Sequence, residues 1–155
     1  MFDVLDEIDI HIVDLLQENG RMHRNEIAEK IELSLPAASE RLRKLEEKGI
    51  IKQYTAILDH KKLGCDVTAY IFVQLDKSTH YQNFIHKATA HPEILECHAV
   101  TGDGSHLLKV RTKNTETLEK LLSLIQSWQG VTGTRTSVVL SSPKESTQLS
   151  LKHLK

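Results

Sequence analysis

Arg41, Arg43, Lys44 and Lys48 bring four cations into eight residues, directly after the small-residue run Pro36-Ala37-Ala38-Ser39. Small side chains let a helix approach base edges in the major groove of DNA, and cations further along the same face reach phosphates. Ser34 supplies an N-cap and Pro36 suits the first turn, where its missing N–H costs little. Ser34, Pro36, Ala37, Ser39, Glu40, Arg41, Arg43 and Lys44 are therefore the candidate DNA-contacting set. The same residues also describe an ordinary amphipathic helix with a solvated charged face, in which Glu40, Glu46 and Glu47 are i,i+4-type partners of the cations. Periodicity alone leaves these two readings level.

Other reactive side chains do not combine. Cys65 and Cys97 are too few and too far apart for a disulfide framework, and the nine histidines are scattered singly, without paired metal-ligand spacing. Cys97 and His98 are adjacent on an expected strand and point to opposite faces, so they cannot act as a nucleophile–base pair. No phosphate loop or nucleophile elbow is present. The expectation is a protein that is not an enzyme and uses no cofactor. Charge gives little help: residues 1–60 carry 13 acidic and 8 basic side chains, a balance of −5, and the remainder balances at +4. A DNA-binding N-terminal half must work through local charge placement. No run reaches the roughly 18 apolar residues that span a bilayer. Asp3, Asp6, Glu7, Asp9 and Asp14 exclude a secretory signal near the start, so a cytoplasmic protein without a membrane partner is expected.

The elements that carry these residues follow from apolar spacing. Asp6 caps a first helix with Ile8, Ile12, Leu15 and Leu16 inward, closed by Asn19-Gly20 in a pair that tolerates left-handed geometry. A second short helix carries Ile27, Ala28 and Ile31, with His23, Arg24 and Asn25 competing as its cap. The third buries Ala38, Leu42 and Leu45 and ends at Gly49. Ile51 to Leu58 alternates as a strand, half of a small wing. This divides the chain into a helix-turn-helix domain over 1–58, a polar linker over 59–64 and a second domain over 65–155. In the second domain the order is strand 67–75, a helix marked by Tyr81, Phe84, Ile85 and Ala88, strand 94–100 and strand 107–112. A helix capped by Asn114, with Leu118, Leu121, Leu122 and Ile125 inward, and strand 134–140 complete it. The fold class is α+β, a winged helix-turn-helix followed by a ferredoxin-like βαββαβ domain. Both helices cover one sheet face, yet Val67, Ala69, Ile71 and Val73 alternate with Tyr70 and Phe72, so both faces carry apolar side chains. A second copy of the chain is the simplest cover for the face without helices.

The chain resembles the Lrp/AsnC family of regulators. The matching residues are Leu5-Asp6-Glu7-Ile8-Asp9, Asn19-Gly20-Arg21, Leu33-Ser34, Glu40 to Glu46, Gly49-Ile50-Ile51 and Tyr54 to Leu58. Glu96-Cys97-His98, Thr101-Gly102-Asp103, Leu107 to Val110, Thr134-Arg135-Thr136 and the tail from Lys144 to Leu151 continue the likeness. The resemblance implies a sequence-specific regulator of transcription that binds double-stranded DNA and dimerises through its sheet, commonly assembling further to octamers. It also implies a small-molecule effector, usually an amino acid, bound near the turn between the second and third strands of the C-terminal domain.

That turn reads Gly102-Asp103-Gly104-Ser105-His106, where the family commonly has Gly-Asp-x-Asp-Tyr. Gly102 and Gly104 allow N–H groups to line a concavity suited to a carboxylate, Asp103 could pair with an α-ammonium, and Thr136 and Ser137 could add hydroxyls. The plain alternative is a hairpin turn in which Asp-Gly is only turn chemistry. Gly102, Asp103, Gly104, Ser105, His106, Thr136 and Ser137 form the candidate effector set. Ser105 is a weaker ammonium partner than an acid, and His106 is expected to add pH sensitivity near its ordinary pKa of about 6.5. The family also often places Gly just before Leu-Ser in the helix-turn-helix. Here it is Glu32, which predicts a turn built differently, because Glu at positive φ is strained.

Overall fold

The computed structural model describes residues 5–154. Two compact units emerge: one holds the residues up to Ile57 together with those from Lys144 onward, and the other spans Leu58–Pro143. The tail thus groups with the N-terminal unit and not with the second domain, where the sequence division puts it. Gln17 holds it there: its Nε2 donates to the Leu149 carbonyl at 3.1 Å, and the Leu149 N–H donates to its Oε1 at 2.7 Å.

The first unit contains α1 (Glu7–Glu18), α2 (Arg24–Lys30) and α3 (Leu35–Glu47). Asp6 caps α1 by accepting the Asp9 N–H at 2.8 Å. Competition for the α2 cap resolves to His23, whose own N–H is taken by the Glu26 carboxylate at 2.9 Å. Ile12, Ile27, Ala28, Ile31, Ala38, Leu42 and Leu45 form the core, the residues expected from periodicity, with Ile8, Leu15 and Leu16 half-buried against it. The end of α1 differs from expectation. Asn19 is extended at φ −142°, Gly20 is not left-handed, and Asn19 Oδ1 accepts the Arg21 N–H at 3.0 Å, an Asx turn doing the work of a left-handed cap.

The expected strand over 51–58 does not form: the segment carries no ladder, and Ile57 and Leu58 are 79% and 64% exposed. A strand requires a partner edge for its backbone groups, and none among the described residues pairs with this one. Tyr54 is anchored instead by donating its hydroxyl to Glu46 at 2.9 Å. Burial, then this bond, pushes its pKa up to about 12.

The second unit contains β1 (Val67–Leu75), α4 (Tyr81–Ala90), β2 (Ile94–Ala99), β3 (His106–Thr112), α5 (Thr115–Gln126) and β4 (Val131–Val138). The strands form one antiparallel sheet in the order β2-β3-β1-β4, the ferredoxin-like arrangement. Asn114 caps α5 as its sequence position predicts, accepting the Thr117 N–H at 2.9 Å. Alternation decides the faces. Ala69, Ile71, Val73, Leu108 and Val110 lie in the core with Phe84, Ala88, Leu118, Leu121, Ile125 and Trp128 of the helical layer. The opposite face carries Tyr70, Phe72 and Leu107, half-buried, among Lys109, Arg111 and Arg135.

Candidate functional site

Two Schellman turns position α3. At the end of α2 the Leu33 N–H reaches back to Ala28 O at 3.0 Å and the Glu32 N–H to Glu29 O at 3.2 Å; Glu32 itself sits at φ +56°. The same bonds recur after α3, from Ile50 to Leu45 and from Gly49 to Glu46, both at 3.0 Å, with Gly49 at φ +70°. The turn before α3 is therefore left-handed despite its glutamate, and the expectation of a differently built turn is corrected. Packing on both sides explains the tolerance: Ile31 and Ala38 lie in the core and Leu33 packs against it, so the backbone around Glu32 is held in place.

Ser34 caps α3 by accepting the Ala37 N–H at 3.3 Å, and Pro36 lies in the first turn. Ser34, Pro36 and Glu40 are exposed and Ala37 and Ser39 half-buried, leaving a low, open surface at the N-terminal end. The cations differ from one another. Arg41 turns inward to α1, with Nη1 donating to Asp6 at 2.7 Å and to Asp9 at 2.8 Å. These two bonds raise its pKa; Asp6 is lowered, first by the Asp9 N–H and then by Arg41. Arg41 is thus a strut between α3 and α1 and not the free phosphate contact expected of it. Arg43 stays on the outer face, 51% exposed, bridging Glu40 at 2.7 Å and also bonding Glu47. Lys44 stands 3.8 Å from Glu40 and is 61% exposed. Glu40 is lowered, chiefly by its bond to Arg43, and Arg43 is raised, chiefly by Glu40. Exposed pairs of this kind are weak and screened by salt, so a phosphate can replace the glutamates.

In the second unit the residues between β2 and β3 fold over the backbone of β1. The Ser105 N–H and hydroxyl both approach Val73 O, at 3.0 and 3.3 Å, and a Cβ on Gly104 would stand 3.0 Å from the same oxygen. A side chain there would push the β1 backbone back by a few tenths of an ångström, which glycine avoids, and Gly102 takes φ +107° on the way into this seat. Asp103 projects from this base and is 70% exposed, ion-paired to Arg135 Nη2 at 2.6 Å. The Arg135 guanidinium stacks over Phe72, 5.3 Å from the ring centroid.

His106 leaves the turn altogether. It opens β3 on the helical face, 1% exposed, between Tyr81 and Phe84 at ring distances of 4.8 and 5.0 Å. Its Nδ1 meets Ser105 Oγ at 2.9 Å, while Nε2 has no partner among the described residues. Burial lowers its pKa. Ser105 is likewise occupied with its own domain and is no free ammonium partner. Thr136 and Ser137 pair with Ile71 and Tyr70, two rungs and three rungs beyond Val73, where the turn is seated. Arg135 is the β4 side chain that the turn meets. Sequence reasoning places it among family positions without giving it a role, because register across β1 and β4 is invisible until the sheet is assembled.

Residues 5–52 match the winged helix-turn-helix DNA-binding family and residues 68–149 the Lrp/AsnC ligand binding domain. The chain belongs to the Lrp/AsnC family. It is 42% identical over 148 residues to the HTH-type transcriptional regulator FL11 of Pyrococcus horikoshii, covering 96% of this chain and 97% of that one. It is 34% identical over 151 residues to the leucine-responsive regulatory protein of Klebsiella pneumoniae, covering 96% and 92%. A Neisseria meningitidis transcriptional regulator solved in complex with L-Met superposes with a TM-score of 0.93 at 33% identity, covering 97% of this chain and 99% of that one. As a Lrp/AsnC protein, the chain is a DNA-binding regulator of transcription with a ligand-binding domain, and not an enzyme. Cys97 and His98, opposite Leu108 and Leu107 on β3, lie on opposite sheet faces, consistent with that class. Among the described residues, no helix is long and apolar enough to cross a membrane.

Proposed function

We propose that α3 is the reading helix of this Lrp/AsnC regulator. Pro36, Ala37 and Ser39 would lie nearest base edges, Ser34 and the N-terminus of α3 beside a phosphate, and Arg43 and Lys44 on the backbone, while Arg41 braces the helix from behind. The observation that carries this reading is the outer face of α3: small residues at its open end, then two cations more than half exposed. Arg43→Ala removes one cation and also frees Glu40 and Glu47 to repel phosphate. Operator affinity, measured by fluorescence anisotropy across a salt series, should fall, with the slope of log K against log salt shallower by about 0.9 for the lost contact. Unchanged affinity and slope in both Arg43→Ala and Lys44→Ala would reject α3 as reader.

The effector is proposed to be an amino acid or a related small metabolite held at the turn Gly102 to Ser105. The L-Met bound to the Neisseria regulator and the leucine response for which the Klebsiella relative is named support this class. The sheet face bearing Tyr70, Phe72 and Leu107 is proposed to pair with a second copy, and dimers to assemble further towards octamers. A protein that works on DNA in this manner is proposed to act in the cytoplasm.

A further inference from the structure

An acid stands at the middle of the outer face of α3. Pro36, Glu40, Arg43 and Glu47 follow one another at helical spacing, all exposed, on the side opposite the core residues Ala38, Leu42 and Leu45. A carboxylate there faces a polyanion, and without a role of its own it would only weaken binding. The setting of Glu40 removes much of that conflict. Arg43 grips it side-on, Nε donating to Oε2 at 2.9 Å and Nη2 to Oε1 at 2.7 Å, and Lys44 stands 3.8 Å away. The grip offsets the charge without exhausting the acceptors. A carboxylate offers about four lone-pair sites, and Arg43 occupies one on each oxygen.

We propose that Glu40 is a specificity-determining residue of α3, accepting a hydrogen bond from the N4 amino group of a cytosine in the major groove. This rests on the reading of α3 as the DNA reader. An ionised carboxylate can only accept, and the major-groove edges offer two kinds of donor, the amino groups at cytosine N4 and adenine N6. Guanine N7 and O6 and thymine O4 are acceptors and repel it. Adenine also sets its N7 lone pair beside N6, against the second carboxylate oxygen, whereas cytosine presents its amino group without an acceptor of its own on that edge. Arg43 acts as a positioning residue. It holds the carboxylate plane through its bonds to Glu40, while a phosphate replaces Glu47, its other partner. Pro36 and Ala37, one turn earlier, are short enough to let the helix come within a glutamate's reach of the bases.

Selection of duplexes from a randomised library by the full-length chain, read by sequencing, tests this without a known operator. The wild type should enrich a cytosine at one position of each half-site. Glu40→Gln should move that position to adenine, because a glutamine amide pairs with N6 and N7 together, and Glu40→Ala should lose the preference there while the rest of the site is kept. On the selected duplex, fluorescence anisotropy should show wild-type affinity falling about tenfold when 2-pyrimidinone, which lacks the amino group, replaces that cytosine. Glu40→Ala should bind both duplexes alike, which controls for the weaker base pair. Urea unfolding of both variants should match the wild type, since the side chain is exposed. If Glu40→Gln and Glu40→Ala select the wild-type sequences, or if the position that moves is not a cytosine in the wild type, the role of Glu40 is overturned and α3 remains the reader. Affinity and salt slope unchanged in both Arg43→Ala and Lys44→Ala overturn the reading of α3 and this assignment with it.

Discussion

Glu32 offers a sharp test of the physics in the reading unit, because the fold supplies its own control. Glu32 and Gly49 close successive helices with the same pair of bonds and similar positive φ, 56° and 70°. A side chain at that geometry costs about 1–2 kcal/mol, while glycine returns about 0.5–1 kcal/mol of that to the more flexible unfolded chain. Glu32→Gly should therefore stabilise the helix-turn-helix by about 0.5–1 kcal/mol. Gly49→Ala should destabilise by a similar amount; nothing lies within 4 Å of a Cβ built there, so the cost is purely conformational. The two substitutions together should nearly cancel, since they share no bond. Glu32→Ala keeps the strain and removes only an exposed charge, and should stay within about 0.5 kcal/mol of wild type. Urea unfolding followed by far-UV circular dichroism reads the helices. The fluorescence of Trp128, the single tryptophan, lies in the other unit and should not shift in its own transition. If Glu32→Gly were neutral or destabilising while Gly49→Ala cost its expected amount, the strain assigned to Glu32 would be refuted.

Arg41→Ala should cost about 1 kcal/mol of stability by cutting α3 from Asp6 and Asp9, and should flatten the salt slope of DNA binding less than Arg43→Ala does; thermal unfolding and anisotropy separate the two effects. His106 is held neutral, its pKa below the ordinary 6.5, so its contribution is present above that value and is lost as pH falls through the depressed folded pKa. Stability measured from pH 7.5 down to 5 should fall more steeply in the wild type than in His106→Phe; parallel profiles would remove His106 as the source. Phe72→Asp should shrink the assembly seen by sedimentation while the monomer still folds, because its side chain lies on the face without helices. Ile71→Asp should instead abolish folding, as Ile71 is 0% exposed in the core; identical behaviour of the two variants would contradict the assignment of faces.

Periodicity and caps were enough to read most of the architecture. Ser34, Asp6 and Asn114 cap the helices assigned to them, and Ile27, Ala28, Ile31, Ala38, Leu42 and Leu45 are inward as their spacing demands. These features are legible because they depend on neighbours within one or two turns, where chain chemistry alone sets the geometry. The order of strands and helices in the second domain was legible for the same reason, and the resemblance to a family joined the pieces.

Long-range pairing decided the rest. The alternation of Ile51 to Leu58 promised a strand, but a strand exists only where another edge accepts its hydrogen bonds. Arg41 and Arg43 are two residues apart and chemically identical, yet one braces α1 and the other faces outward, because the helical turn between them aims one at Asp6 and Asp9. His106 belongs to the turn in sequence and to the core in space, since it is the first residue of a strand whose odd and even positions part to opposite faces. Register across β1 then brings Arg135, and not Thr136 or Ser137, to Asp103. Local sequence determined the helices, the four strands of the sheet and which of their faces are apolar; only the assembled sheet determined which charges meet, because a shift of one residue in register would have put a different side chain beside the turn.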